Sequence, residues 1–279
     1  MLWNRNKFFC DINPLCYAIS VQKEVFKRHL RDFSSKEKFA KTTNKEKLPN
    51  IVFSSSQNMI KRAKGVDLTS QKNKAVNIKL ASSKLNGMTI RPGEVFSFWR
   101  TVGKSTKKKG YKEGRVLRKT GLTTGIGGGL CNLGSTLHLL IVHSPLEINE
   151  FHNHSDALAP DEGQRVPFST GTSVSYNYVD YRFKNNTDQN VQLLFWCEGE
   201  ILYAELRSEK EFPYSYKLIE ENHHFEKEEN KYYRISKIYK ETSDNKTGTV
   251  IKKELILDNH SEVMYDYDLI PKDQMDKCK

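Results

Sequence analysis

The chain has 279 residues, of which 37% are hydrophobic and 28% charged, and a formal charge of +11. That length suits one large domain, or one domain with an appendage, and allows a sizeable core; the composition excludes a disordered chain. The basic balance favours anionic surroundings such as nucleic acid, acidic lipid or a cell-wall polymer, without choosing among them.

Phe8 to Ile19 is mildly apolar but interrupted by Asp11, Asn13 and Pro14. It has no unbroken apolar centre and no small-residue cleavage site, and nothing elsewhere reaches about 18 consecutive apolar residues. The expectation is a cytoplasmic chain with no transmembrane segment, with association with the cell envelope left open. Residues 20–49 read as a charged helix, with Val25, Phe26 and Leu30 apolar, running into a loose linker. Ile51-Val52-Phe53 reads as a short strand. Asp67 to Leu85 reads as a helix, since Ile78, Ala81 and Leu85 share a face and Asn86-Gly87 is a stop. Met88 to Ile90, a turn at Pro92-Gly93 and Val95 to Trp99 read as strand, turn, strand.

Residues 103–121 carry Lys112, Arg115 and six further cations. They read as a basic hairpin or flap, either a solvated loop or a collar for an anionic substrate. A glycine run, Gly127-Gly128-Gly129, then leads into Leu130, Leu133, Leu137, Leu140 and Ile141, one face of a buried helix that Ser144-Pro145 ends. Glu147 to His154 and Thr172 to Phe183 read as strands. Asn185 to Asp188 is a turn, with Val191 to Cys197 returning. Beyond residue 200 the pattern is short β segments with charged loops. The resulting fold class is α+β: a Cys-bearing helix on an antiparallel sheet, with a β-rich C-terminal extension. The division is 1–50, a helical, charged segment; 51–210, the core; and 211–279, the extension.

Five cysteines are present, with no Cys-x-x-Cys pair, which argues against a disulfide framework or zinc ribbon and fits free thiols. Cys131 stands out. Glycines where a helix starts leave backbone N–H groups facing whatever approaches, and the helix N-terminus adds partial positive charge. A thiol there can be shifted towards thiolate, and the same N–H groups can serve as an oxyanion hole. The alternative is close packing, with Cys131 a small buried hydrophobe. A nucleophilic cysteine needs a base. On a strand, His152, His154 and Asp156 would share a face, and Asp180 could orient the histidine. Zinc held by the histidine pair with Asp156 and Cys131, or purely structural imidazoles, are the competing readings. Aromatic residues sit in apolar strand patterns and no nucleic-acid signature appears, so nucleic acid is set aside.

Pro92-Gly-Glu-Val-Phe-Ser-Phe98, Gly110-Tyr111, Gly127-Gly-Gly-Leu-Cys131-Asn-Leu-Gly-Ser135-Thr-Leu137, His152-Asn-His-Ser155 and Asp180-Tyr-Arg-Phe-Lys-Asn-Asn-Thr187 together resemble the VanW family over roughly residues 70–197. The resemblance implies a bacterial protein related to an accessory product of glycopeptide-resistance clusters. It also implies cysteine-dependent L,D-transpeptidase-like acyl transfer, or hydrolysis, on peptidoglycan-type stem peptides. Cys131 would be the nucleophile and His154 the general base, assisted by His152 and Asp180. Gly127, Gly128, Gly129, Asn132, Ser135, Lys112 and Arg115 would contact substrate. No cofactor or metal is expected; the partner is peptidoglycan or a cell-wall precursor peptide. The oligomeric state is not legible. Asn132 stands where many members have glutamine, and Gly171-Thr-Ser-Val174 replaces an acid-containing segment. A non-catalytic accessory protein that binds cell-wall precursors is the alternative.

Overall fold

Asn13 accepts a hydrogen bond from the Cys16 N–H at 2.8 Å and Pro14 occupies the first helical turn, where its missing N–H costs nothing. The residues that seemed to interrupt an apolar stretch are therefore the start of α1, Pro14–Ser34. The computed structural model describes residues 8–62, 67–118, 121–153, 156–157, 160, 172–176 and 179–275. After α1 come β1 (Thr42–Thr43), β2 (Asn50–Asn58), α2 (Leu68–Leu85), β3 (Met88–Ile90), β4 (Val95–Ser97) and α3 (Phe98–Val102). Then follow β5 (Glu113–Arg118), β6 (Gly121–Ile126), α4 (Leu130–Val142), β7 (Glu147–Glu150), β8 (Asp156–Ala157) and β9 (Arg182–Lys184). The chain finishes with β10 (Val191–Glu198), β11 (Ile201–Ser208), β12 (Tyr214–Glu228), β13 (Lys231–Asp244) and β14 (Val250–Val263).

The fold is α+β. A five-stranded antiparallel sheet in the order β1-β3-β10-β11-β2 carries α2 and α4 side by side on one face. Along β11, Leu202, Ala204 and Leu206 point inward and are buried, as period-two alternation requires. They meet Ile78 and Leu85 of α2 and Leu133, Leu137 and Leu140 of α4 in one core. From Leu133 to Val142 every residue of α4 is buried, so this helix is buried all round rather than along one face.

Two smaller sheets flank this core. In the order β4-β9-β7, a three-stranded sheet holds Ser97, Arg182 and Glu150. β5 and β6 form the basic hairpin, which spans 113–126 rather than 103–121 and runs directly into the glycine loop. At the C-terminal end, β12, β13 and β14 form a long antiparallel ribbon joined by the parallel β8, with its own cluster of Ala157, Phe225, Val263 and Ile270. The strands here are 14 or 15 residues long, not short segments. Lys and Glu on their open faces break up the apolar pattern without breaking the ladder.

Further expectations need correction. Phe98 and Trp99 begin α3 instead of continuing a strand, because the Ser97 hydroxyl accepts from Arg100 N–H (3.3 Å) and Asp180 accepts from Trp99 N–H (3.0 Å), capping the turn. The stretch 172–183 is not one strand: Ser175 and Val179 exchange two backbone bonds of 2.9 Å, closing a turn before β9. β10 does not return beside β9. The fully buried Asn185 amide donates to the carbonyls of Ile90 and Gln189, both at 2.8 Å, and so carries the chain from one sheet to the other.

Candidate functional site

Cys131 lies in the first turn of α4, as the glycine run suggests. Gly127 and Gly129 adopt φ of +82° and +93°, and a Cβ on Gly128 would overlap the Gly114 backbone across the hairpin. The glycines therefore let β5 and β6 fold back against the helix start. The Gly127 and Gly128 N–H groups are already bound to the carbonyls of Lys112 and Gly125, and Asn132 N–H to that of Gly129. The Leu130 and Cys131 N–H groups are the first-turn donors with no intrahelical acceptor.

The thiol donates to the Val174 carbonyl at 3.7 Å. Burial pushes it above its ordinary value, outweighing the opposing hydrogen bonds with the Val174 and Cys131 backbone and with Ser173. In this arrangement the helix N-terminus does not yield a thiolate at neutral pH, because loss of solvent dominates. The covering segment is tied down just before Val174: Ser173 N–H donates to the His152 carbonyl at 2.7 Å and Thr172 N–H to the Ser135 hydroxyl at 3.2 Å. Ser135 in turn donates to the Cys131 carbonyl at 3.0 Å. It is thus a buried brace rather than an exposed substrate contact. The Asn132 side-chain amide donates to Gln57 Oε1 at 3.3 Å, while its Oδ1 is buried and has no partner among the described residues.

The histidine strand departs from expectation. β7 ends at Glu150, and β8 belongs to the C-terminal ribbon, so no single strand presents His152 and Asp156 on one face. His154 lies outside the described residues, as does the Asp156 side chain. His152 hydrogen-bonds through Nε2 to Glu150 Oε1 at 3.0 Å. Asp180 is committed differently: its carboxylate accepts from the Ser97 hydroxyl at 2.5 Å, from the Trp99 and Tyr181 N–H groups at 3.0 Å and from Arg182 Nε at 2.7 Å. Glu150, not Asp180, is the acid that holds His152.

Glu150 is also gripped by Arg28 of α1 in a two-pronged pair at 2.6 and 2.7 Å. Burial would raise its carboxyl, but the bonds from Arg28, His152 and the Asp180 N–H outweigh that and lower it to about 2. Arg182 bridges Asp180 to Asp32 of α1, the latter at 2.7 and 3.0 Å. Among the described residues no group of His, Cys, Asp or Glu could hold a metal ion, and no helix is long and apolar enough to cross a membrane.

The segment from residue 73 to 207, which includes Cys131, Glu150, His152, Asp180 and Arg182 but not Arg28, Asp32 or Gln57, matches the family described as VanW like protein. The chain belongs to the VanW family. It is 28% identical over 227 residues to the vancomycin B-type resistance protein VanW of Enterococcus faecalis, covering 81% of this chain and 82% of that one. It is 32% identical over 123 residues to a Bacillus subtilis protein, YoaR, described as uncharacterized, covering 44% of this chain and 39% of that one. No solved structure matches.

Within the VanW segment, two residues of α2 complete the site. The fully buried Asn77 amide donates to the carbonyls of Lys112 (3.0 Å) and Gly128 (2.9 Å), and its oxygen accepts from Lys112 N–H at 2.7 Å. It locks the hairpin base to the glycine loop. Lys112 thus serves through its backbone, while its side chain and Arg115 remain exposed. The Lys74 side chain crosses the open face of Gly129, where a Cβ would strike it. Burial first, then Lys61 and Arg115, lower its ammonium to about 8. Asn77 could have been flagged from sequence, as an amide beside Ile78 on a helix face that should be apolar. Lys74 gave no such signal.

Proposed function

We propose that this VanW-family chain performs cysteine-dependent acyl transfer, L,D-transpeptidase-like, or hydrolysis on the stem peptide of a cell-wall precursor, and that Cys131 is its nucleophile. The observation that carries the reading is the Val174 carbonyl held 3.7 Å from the Cys131 sulfur at the first turn of α4. A peptide carbonyl already faces the thiol, and a substrate strand replacing residues 172–174 would bring its own carbonyl to the same place. The Leu130 and Cys131 N–H groups would then receive the developing oxyanion. Lys74, Lys112 and Arg115 would meet the carboxylates of the stem.

In this reading the thiol stays protonated until substrate arrives. His154, with His152 held by Glu150 as second candidate, takes the thiol proton. Sulfur bonds to the carbonyl carbon after the third stem residue, and D-alanine leaves as its amine, receiving that proton. An amine of a neighbouring stem, or water, then attacks the thioester carbon, releases the acyl group and returns the proton to sulfur. The name of the enterococcal relative supports a link to vancomycin resistance.

A second reading, a non-catalytic accessory protein that binds such precursors, is favoured by one observation: the thiol is raised and contacts a carbonyl rather than a described imidazole. The two separate on incubation of the full chain with a stem tetrapeptide that ends in D-alanine. Acyl transfer predicts release of D-alanine and a peptide adduct on Cys131 by intact-mass analysis, both abolished in Cys131→Ser. Binding of the peptide by wild type and Cys131→Ser alike, with neither product, would leave the accessory reading.

A further inference from the structure

Surface helices normally turn their apolar residues to the protein and their charges to water. α1 does the reverse. Its inner face reaches the body through Arg28, paired with Glu150, and Asp32, paired with Arg182. None of its residues is buried. Leu15, Ile19, Phe26, Leu30 and Phe33 follow one another at intervals of three, four or seven residues, so they form one narrow stripe along the helix. That stripe faces water: Phe26 is 63% exposed and Phe33 90%. Lys23, Lys27 and Arg31, four residues apart, make a cationic row beside it. Phe8, Phe9 and Ile12, just before the helix, are exposed as well.

We propose that α1 is an interfacial anchor, lying flat on an anionic lipid bilayer with this stripe among the acyl chains and the cationic row at the headgroup phosphates. The charge arrangement selects lipid over a second copy of the chain. Two molecules of formal charge +11 repel each other, whereas an anionic leaflet attracts both the row and the rest of the molecule. A stripe one helix wide and flanked by Lys and Arg matches the pattern of helices that lie on, rather than span, a membrane. The ion pairs of Arg28 and Asp32 then fix Glu150 and His152 at a set height above the lipid.

The test is cosedimentation of the full chain with vesicles of phosphatidylglycerol mixed with phosphatidylcholine, and of phosphatidylcholine alone. The wild type should bind the anionic vesicles and release as salt is raised. Phe26→Ser/Phe33→Ser, which alters only exposed side chains, should weaken binding at least about tenfold. Lys23→Glu/Lys27→Glu/Arg31→Glu should abolish the preference for anionic lipid. Circular dichroism of each variant establishes that α1 is still formed. The proposal is overturned if folded wild type ignores anionic vesicles, or if the serine variant binds them equally. It is also overturned if light scattering finds a dimer that the serine variant dissociates, which would assign the stripe to a second copy.

Discussion

The two ends of the candidate site are built in opposite ways. Around Cys131 the structure is held by backbone and apolar packing: glycines in close contact, a helix buried on all sides and a single amide, Asn77, tying hairpin to loop. Around His152 it is held by charge: Arg28 on Glu150, and Arg182 between Asp180 and Asp32. The first arrangement fixes position through shape and tolerates no added atoms. The second fixes orientation through pairs that protonation can undo. The thiol is thus positioned by packing and the imidazole by ion pairs.

The largest effect should come from challenging the packed end. Gly128→Ala places a methyl group into the Gly114 backbone, and a loss of about 3 kcal/mol in unfolding free energy is expected from such overpacking. Chemical denaturation measures it; an unchanged midpoint would mean that the hairpin is not held against the loop.

The charged end should yield next, and only at the right pH. With the Glu150 carboxyl lowered from 4.5 to about 2 on folding, its pairs stabilise the protein fully above pH 4.5 and lose that contribution as pH falls towards 2. Glu150→Gln should therefore be about 2–3 kcal/mol less stable than wild type at neutral pH. The two stability curves should draw together below pH 4.5 and converge near pH 2. Parallel curves throughout would remove Glu150 from the network.

At the small end lies the exposed pair of Lys107 with Glu113 on the flap, 3.2 Å apart with both side chains more than half exposed. Glu113→Gln should change stability by less than about 0.5 kcal/mol. A larger loss would mean that the flap, too, is held by charge.

The same contrast explains what was legible in the sequence. α2, α4 and the glycine loop were readable because local periodicity and capping residues report them directly. The carboxylate on His152 was not: Asp180 lies on a plausible strand, but its oxygens go to Ser97, Trp99 and Arg182. Glu150 does the work because Arg28, 122 positions away in the chain, closes on it. Pairings at that separation leave no local mark. The thiol shift was misjudged for a related reason. The helix N-terminus is a local feature, whereas the Ser173–Val174 cover that desolvates Cys131 comes from a distant loop. The start of α1 was missed by reading Asn13-Pro14 as an interruption when it is a cap.

The central claim, that Cys131 is a covered and protonated thiol awaiting a peptide strand, is tested most directly by its alkylation rate against pH, followed by mass analysis of the intact protein. Without substrate, the rate should rise only above the ordinary thiol value of about 8.5, and His152→Ala should leave that titration in place. A titration well below that value, lost in His152→Ala, would contradict the covered state and establish an activated thiolate in the resting protein.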